Sequence, residues 1–129
     1  MILLDTCAVI WDALEPNQLT PKAKNAIERY QNELIVCDIS IWEIAMLIRK
    51  ERLLVESTTS GFIRLLLEAR NFQVQEITAE IAELSVNFGP EISNDPADRL
   101  IAATSILHNA PIVSADQNLR KATLVETIW

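Results

Sequence analysis

Short apolar runs alternate along this chain with stretches that open on helix-capping residues, and no other feature restricts its fold so strongly. The segments ILL (2–4), LIVC (34–37), FQVQEI (72–77), PIVS (111–114) and LVETIW (124–129) read as strands. Between them, helical patterns begin at Thr20-Pro21, Ser40, Thr58, Thr78 and Asp95-Pro96. Each start offers a side-chain oxygen to the unpaired amides of a first turn, and Pro21 and Pro96 stand where a helix can spare an amide. Strands separated by helices cannot pair through tight turns. The expectation is therefore an α/β fold with a largely parallel sheet and right-handed crossovers. With 129 residues, half of them hydrophobic, the chain can bury a core of its own as a single domain over residues 1–129. Glycine occurs only twice, which leaves little room for a flexible linker.

Hydropathy and charge exclude several classes. The longest uncharged stretch, residues 100–115, is interrupted by His108, Asn109 and Pro111 and falls short of the roughly 20 apolar residues that a membrane span needs. The opening MILLD lacks a basic segment and meets an acid at Asp5, unlike a secretory signal. Cys7 and Cys37 are too few for a disulfide framework and read as small buried hydrophobes, so a cytoplasmic protein with reduced thiols is expected. A net charge of −7 argues against a broad basic face for nucleic acid. It leaves room for an enzyme that holds phosphate through bound cations, because these reverse the local field.

Several acids stand at informative places. Asp5 follows the first strand directly, and Asp116 closely follows the fourth. Open α/β sheets bind ligands beyond the carboxyl ends of their strands, so both acids belong to the rim where a site forms, although either alone also reads as a turn residue. Glu43 is the only charged member of IWEIAMLI (41–48). It has two readings: it closes a capping box with Ser40, or it is a carboxylate on an apolar face that something must compensate. In SNDPADRLIAATS (93–105), Asp95 reads as the N-cap ahead of Pro96. Asp98 lies one turn in, on the face of Ile101 and Ala102, and is the candidate for chemistry.

Four clustered carboxylates, Asp5, Glu43, Asp98 and Asp116, would repel one another unless a hard divalent cation, Mg2+ or Mn2+, joined them. The one histidine, His108, lies a helix length from Asp98, and no Cys/His spacing suggests zinc. Magnesium with few protein ligands usually acts on phosphate esters, activating water and stabilising charge on the leaving oxygen. Two other α/β classes lack their residues. A receiver-type phosphorylation domain needs an acidic pair after the first strand, and a dehalogenase-like phosphatase needs an acid at position 7, which is cysteine. A module that uses its acids only to anchor a partner is the non-enzymatic alternative.

The segments LLDTCAVIW, CDISIWEIAMLIRKERL, NDPADRLIAATS and IVSADQNL resemble, in order, the four acidic motifs of PIN-domain ribonucleases. More closely they are similar to the VapC-type toxins of bacterial toxin–antitoxin pairs, over essentially the whole chain to Trp129. The resemblance implies a three-layer α/β/α fold with strand order 3-2-1-4-5 and a Mg2+-dependent endoribonuclease acting on RNA. It also implies a homodimer and a small cognate antitoxin whose tail places a basic side chain near the acids. Residue by residue, Asp5, Glu43, Asp98 and Asp116 match the family's acidic quartet, and Thr6 and Ser114 match its small hydroxyl positions. Asp5, Asp98 and Asp116 would hold one Mg2+, directly or through water, with Glu43 completing the site or binding a second ion. Thr6 or Ser114 would orient water or a ligand carboxylate, unless they only cap local turns. The chain departs from the pattern at Cys7, where many relatives have histidine, and at Ala97, where many have an aromatic. The stretch NFGPEISN (87–94) lacks the basic or histidine residues common there. Arg49, Lys50 and Arg52 end the Glu43 helix, either as a solvated terminus or as a guide for the phosphate backbone. The run LIAATSIL (100–107) has almost no polar side, and cover on more than one face is expected for it.

Overall fold

The computed structural model describes all 129 residues. Its strands are β1 (Ile2–Leu4), β2 (Leu34–Cys37), β3 (Gln73–Gln75), β4 (Ile112–Val113) and β5 (Thr127–Ile128). Its helices are α1 (Thr6–Leu14), α2 (Pro21–Arg29), α3 (Asp38–Arg49), α4 (Thr59–Ala69), α5 (Ala79–Asn87), α6 (Pro96–His108) and α7 (Gln117–Lys121). The strands form one all-parallel sheet in the order β3-β2-β1-β4-β5. All five expected strands are present, shorter than the apolar runs that announce them at the sheet edges. There only one neighbour supplies hydrogen bonds, and β3 shows mainly exposed side chains.

The alternation of side chains along the central strands builds two cores. Ile2, Leu4, Leu34, Val36 and Val113 pack on one face against α1, α2, α3 and α4. Leu3, Ile35, Cys37 and Ile112 pack on the other against α5, α6 and α7. The architecture is thus three-layered, α/β/α. Because β1 and β2 are covered on both faces, they read as unbroken apolar runs rather than alternating ones. No helix is long and apolar enough to cross a membrane.

Thr20, Thr58, Thr78 and Asp95 cap their helices as expected, each accepting from an amide of the first turn. Ser40 does not. Helix α3 starts at Asp38 with Cys37 as its cap, so Ser40 lies fully buried inside the first turn and Glu43 closes no capping box. Four non-glycine residues, Asn32, Glu51, Asn71 and Asn109, take the left-handed conformation after α2, α3, α4 and α6 (φ 51–73°). Three of the four are asparagine, the side chain that best tolerates this turn, which is how so few glycines suffice.

The run at 100–107 is absorbed within the chain. Ile101, Ala102 and Ala103 are buried against the sheet, and α5 covers the helix from the side. The Thr104 and Ser105 hydroxyls donate to the carbonyls of Leu100 (2.8 Å) and Ala110 (2.6 Å). Its low polarity reflects burial in the chain's own core and by itself calls for no second copy; only Ile106 and Leu107 stay exposed.

From β1 the chain builds outward in both directions, to β2 and β3 on one side and to β4 and β5 on the other. The switch point therefore lies between β1 and β4, and the crevice beyond their carboxyl ends is the natural ligand site of such a sheet.

Candidate active site

Asp5 and Ser114 meet across that crevice. Asp5 is the N-cap of α1: its Oδ1 accepts from the Ala8 amide at 2.9 Å, while its Oδ2 accepts a short hydrogen bond from Ser114 Oγ. Ser114, fully buried, also accepts from the Asp116 amide at 3.0 Å. It therefore works both as a local turn residue and as a clamp on the first acid. Asp5 is only 8% exposed, and burial pushes its carboxyl up to about 6 despite those two hydrogen bonds, with Asp116 and Glu43 adding repulsion.

Asp116 caps α7, its Oδ1 accepting from Asn118 (2.8 Å) and Leu119 (3.0 Å), which leaves Oδ2 without a protein donor. Asp98 lies one turn inside α6, half-buried, and accepts from Ser93 Oγ at 2.9 Å. Burial raises its carboxyl to about 6, Ser93 opposes the shift, and Asp116, Asp95 and Glu43 reinforce it.

Glu43 is compensated by hydroxyls, not by its own helix terminus. Thr6 Oγ1 stands 2.5 Å from Glu43 Oε1 and 2.9 Å from Ser40 Oγ. A hydroxyl has one proton and an ionised carboxylate can only accept, so Thr6 donates to Glu43 and Ser40 in turn donates to Thr6. Burial still raises the proton affinity of Glu43, with Thr6 opposing and Asp95 adding repulsion.

These side chains line one cleft of about 330 Å³ together with Cys7, Trp11, Asp95, Ile101 and Ala115. All four expected acids and Thr6 reach it, and Ser114 sits directly beneath Asp5. Asp95 caps α6 through the Ala97 amide (3.2 Å), as expected, and also turns to the cleft as a fifth acid. Cys7 opens to the cleft instead of being buried. Desolvation, then Asp5, Glu43 and Asp116, push its thiol up to about 11, which favours the neutral thiol over the nucleophilic thiolate. Cys37 is buried and its thiol is likewise pushed up to about 11, chiefly by burial.

The sequence did not announce the supports behind the acids. Arg99, beside Asp98, donates to the carbonyls of Ser85 (2.8 Å), Ser93 (3.2 Å), Ile92 (3.3 Å) and Phe88. It ties the segment between α5 and α6 into a shape that delivers Ser93 to Asp98. The only sequence signal was its position next to the acid.

Five acids line the cleft and no basic side chain does. No three acid, histidine or cysteine side chains form a ready-made ligand set for one ion. Oxygen donors that are clustered but not closed around a point suit a hard divalent cation that keeps part of its water shell, with one or two carboxylates bound directly. An ion in this cleft would take its ligands from Asp5, Asp98 and Asp116, which line it together with Glu43 of α3.

A family profile described as PIN domain matches residues 2–124. The chain is 35% identical over 119 residues to Ribonuclease VapC22 of Mycobacterium tuberculosis, which covers 92% of this chain and 89% of that protein. A toxin–antitoxin complex from Klebsiella pneumoniae contains a chain of the same fold, with TM-score 0.70 and 23% identity, over 98% of this chain and 97% of that one. VapBC2 from Rickettsia felis, solved with a DNA fragment from its promoter, gives TM-score 0.67 and 18% identity over the same shares.

Proposed function

This chain belongs to the PIN-domain family, and from that premise we propose that it is a Mg2+-dependent endoribonuclease, the toxin of a toxin–antitoxin pair. The observation that carries the reading is convergence. Asp5, Glu43, Asp98 and Asp116 come from four separate elements to one cleft at the switch point of the sheet, with no cation among the lining side chains.

Asp5, Asp98 and Asp116 would hold the ion, directly or through water, with Glu43 completing the site. A bound Mg2+ (or Mn2+) would supply charge neutralisation for the scissile phosphate, a more acidic water and stabilisation of the departing 3′-oxygen. The chain's own side chains do the positioning. Ser114 fixes Asp5 so that one carboxylate both caps α1 and faces the crevice. Thr6 holds Glu43 by Oε1 and leaves Oε2 free to take a proton from the attacking water. Ser93, set by Arg99, does for Asp98 what Ser114 does for Asp5.

The partners in this reading are an RNA substrate, a second copy of the chain and a small antitoxin. The relation to a VapC ribonuclease supports the first, and the toxin–antitoxin titles of the structural neighbours support the last. An antitoxin lysine or arginine placed among the five cleft acids would stand where the ion binds and so silence the site.

The test is metal dependence. Mg2+ or Mn2+ should raise the melting temperature, because it binds only the folded cluster, and should be required for cleavage of RNA. Full cleavage in excess EDTA, by a preparation shown free of other nucleases, would sink this mechanism.

A further inference from the structure

A second groove opens off the acidic cleft, and its walls differ from the first. It has a volume of about 260 Å³, and it shares Thr6, Cys7 and Glu43 with the acid site. Beyond Glu43 it is walled by Trp42, Met46 and Leu47 and ends at Lys50 and Arg52. Trp42, Met46 and Lys50 recur every fourth residue along α3, each step about 6 Å along the helix axis, so they form one stripe leading away from the acids. Glu51 then adopts the left-handed conformation (φ 58°), and the Arg52 amide returns to the Leu47 carbonyl at 2.9 Å. That turn folds Arg52 back beside Lys50 at the groove's end.

Two features single this groove out. Trp42 is 60% exposed although it stands in the run 41–48, apolar apart from Glu43. Lys50 and Arg52 enter none of the chain's ion pairs, in a molecule of net charge −7. An exposed indole with a free cationic pair beyond it matches a nucleotide, whose base stacks on any aromatic face and whose phosphate seeks the cations.

Building on the nuclease reading, we infer that this groove is a nucleotide subsite. A base next to the scissile bond stacks on Trp42, and the phosphate beyond it lies against Lys50 and Arg52. The same phosphate would be repelled by the acid cleft, so the groove sets the direction in which the strand leaves the reacting bond. Trp42 is then a substrate-positioning residue, and its loss weakens binding rather than the chemical step.

The decisive experiment compares the parent with Trp42→Ala, Trp42→Phe and the double variant Lys50→Gln/Arg52→Gln. Each is tested for cleavage of a short RNA in Mg2+ and for binding of a labelled, randomised RNA pool in Ca2+. Trp42→Ala should raise both KM and Kd about tenfold, with most of that recovered in Trp42→Phe. The double variant should weaken binding and flatten its salt dependence. An abasic nucleotide walked along the cleaved RNA should raise KM at one position in the parent, and at none in Trp42→Ala. A Trp42→Ala protein that binds and cleaves RNA like the parent overturns the subsite. So does one that keeps its RNA affinity but no longer co-purifies with its antitoxin, because the groove then belongs to a protein. A parent that binds the RNA pool but cuts nothing refutes the nuclease reading alone, since the Kd comparison still decides the groove; a parent that binds no RNA refutes both.

Discussion

At the scale of single residues, the two aspartates that flank the start of α6 have different duties. Asp95 accepts from the Ala97 amide and stands exposed, while Asp98 is half-buried and held by Ser93. Asparagine caps a helix as well as aspartate does, so Asp95→Asn should leave melting temperature and activity near those of the parent. Asp98→Asn keeps the shape and removes a charged ligand, so metal affinity and cleavage should fall by roughly a hundredfold or more. Titration calorimetry and a cleavage assay on both variants decide it: an inactive Asp95→Asn beside a fully active Asp98→Asn would reverse the assignment. Asp5 and Asp98 also make a statement about pH. Both carboxyls rise from an ordinary 3.8 to about 6. An acid raised in the folded state binds its proton more tightly there, so the stability it contributes is complete below 3.8 and is lost as pH climbs through 6. Metal-free protein should therefore lose stability across that window, and added Mg2+ should restore it at and above pH 6. Urea unfolding from pH 4 to 7.5 with and without the ion measures this, and a metal-free stability that rises over the window counts against it.

At the scale of elements, helix caps and site residues are often the same atoms. Asp5 and Asp116 each spend one oxygen on first-turn amides, while the second is held by Ser114 in Asp5 and has no protein donor in Asp116, so α1 and α7 fix the acids as much as the acids start the helices. The segment between α5 and α6 has no regular structure and depends on Arg99, which donates to carbonyls and pairs with no carboxylate. Lysine cannot reproduce that fork of donors, so Arg99→Lys should cost about 1–3 kcal/mol. Cleavage should drop with it, because Ser93 no longer meets Asp98, and Mg2+ affinity should weaken in parallel. Native stability and activity in Arg99→Lys would show that the segment holds itself. What the sequence could reveal divides along the same line. Strand runs and helix caps are local, and Thr20, Thr58, Thr78 and Asp95 could be found from neighbours one turn away. Ser40 looked like a cap for the same reason, but its hydroxyl goes to Thr6, a partner 34 residues off that no local pattern contains. Thr6 with Glu43 and Ser114 with Asp5 are likewise tertiary pairs, so the acids were legible while their supports were not.

At the scale of the molecule, α6 uses its apolar length inside the subunit, so self-association must draw on other surfaces. Leu54, Leu65 and Val86, 82%, 64% and 75% exposed, are apolar side chains on which such surfaces can draw. A homodimer in the micromolar range is expected, and sedimentation that gives a monomer mass up to near-millimolar concentration would remove it. The hydrogen bond between Ser114 and Asp5 has a further consequence, in time instead of space. Its two residues are 109 positions apart, and strands β1 and β4, which they directly follow, are neighbours only in the finished sheet. Contacts of such separation close late in folding, because the intervening chain must be ordered first. Strands β1 and β2 with α1 and α3 can assemble from the first 49 residues, bringing Thr6 to Glu43 while Asp5 still lacks its clamp and Asp98 and Asp116 are still elsewhere. A chain folded only that far would lack the complete acid cleft, so in the nuclease reading the ability to cut is expected only with the closure that brings Ser114 to Asp5.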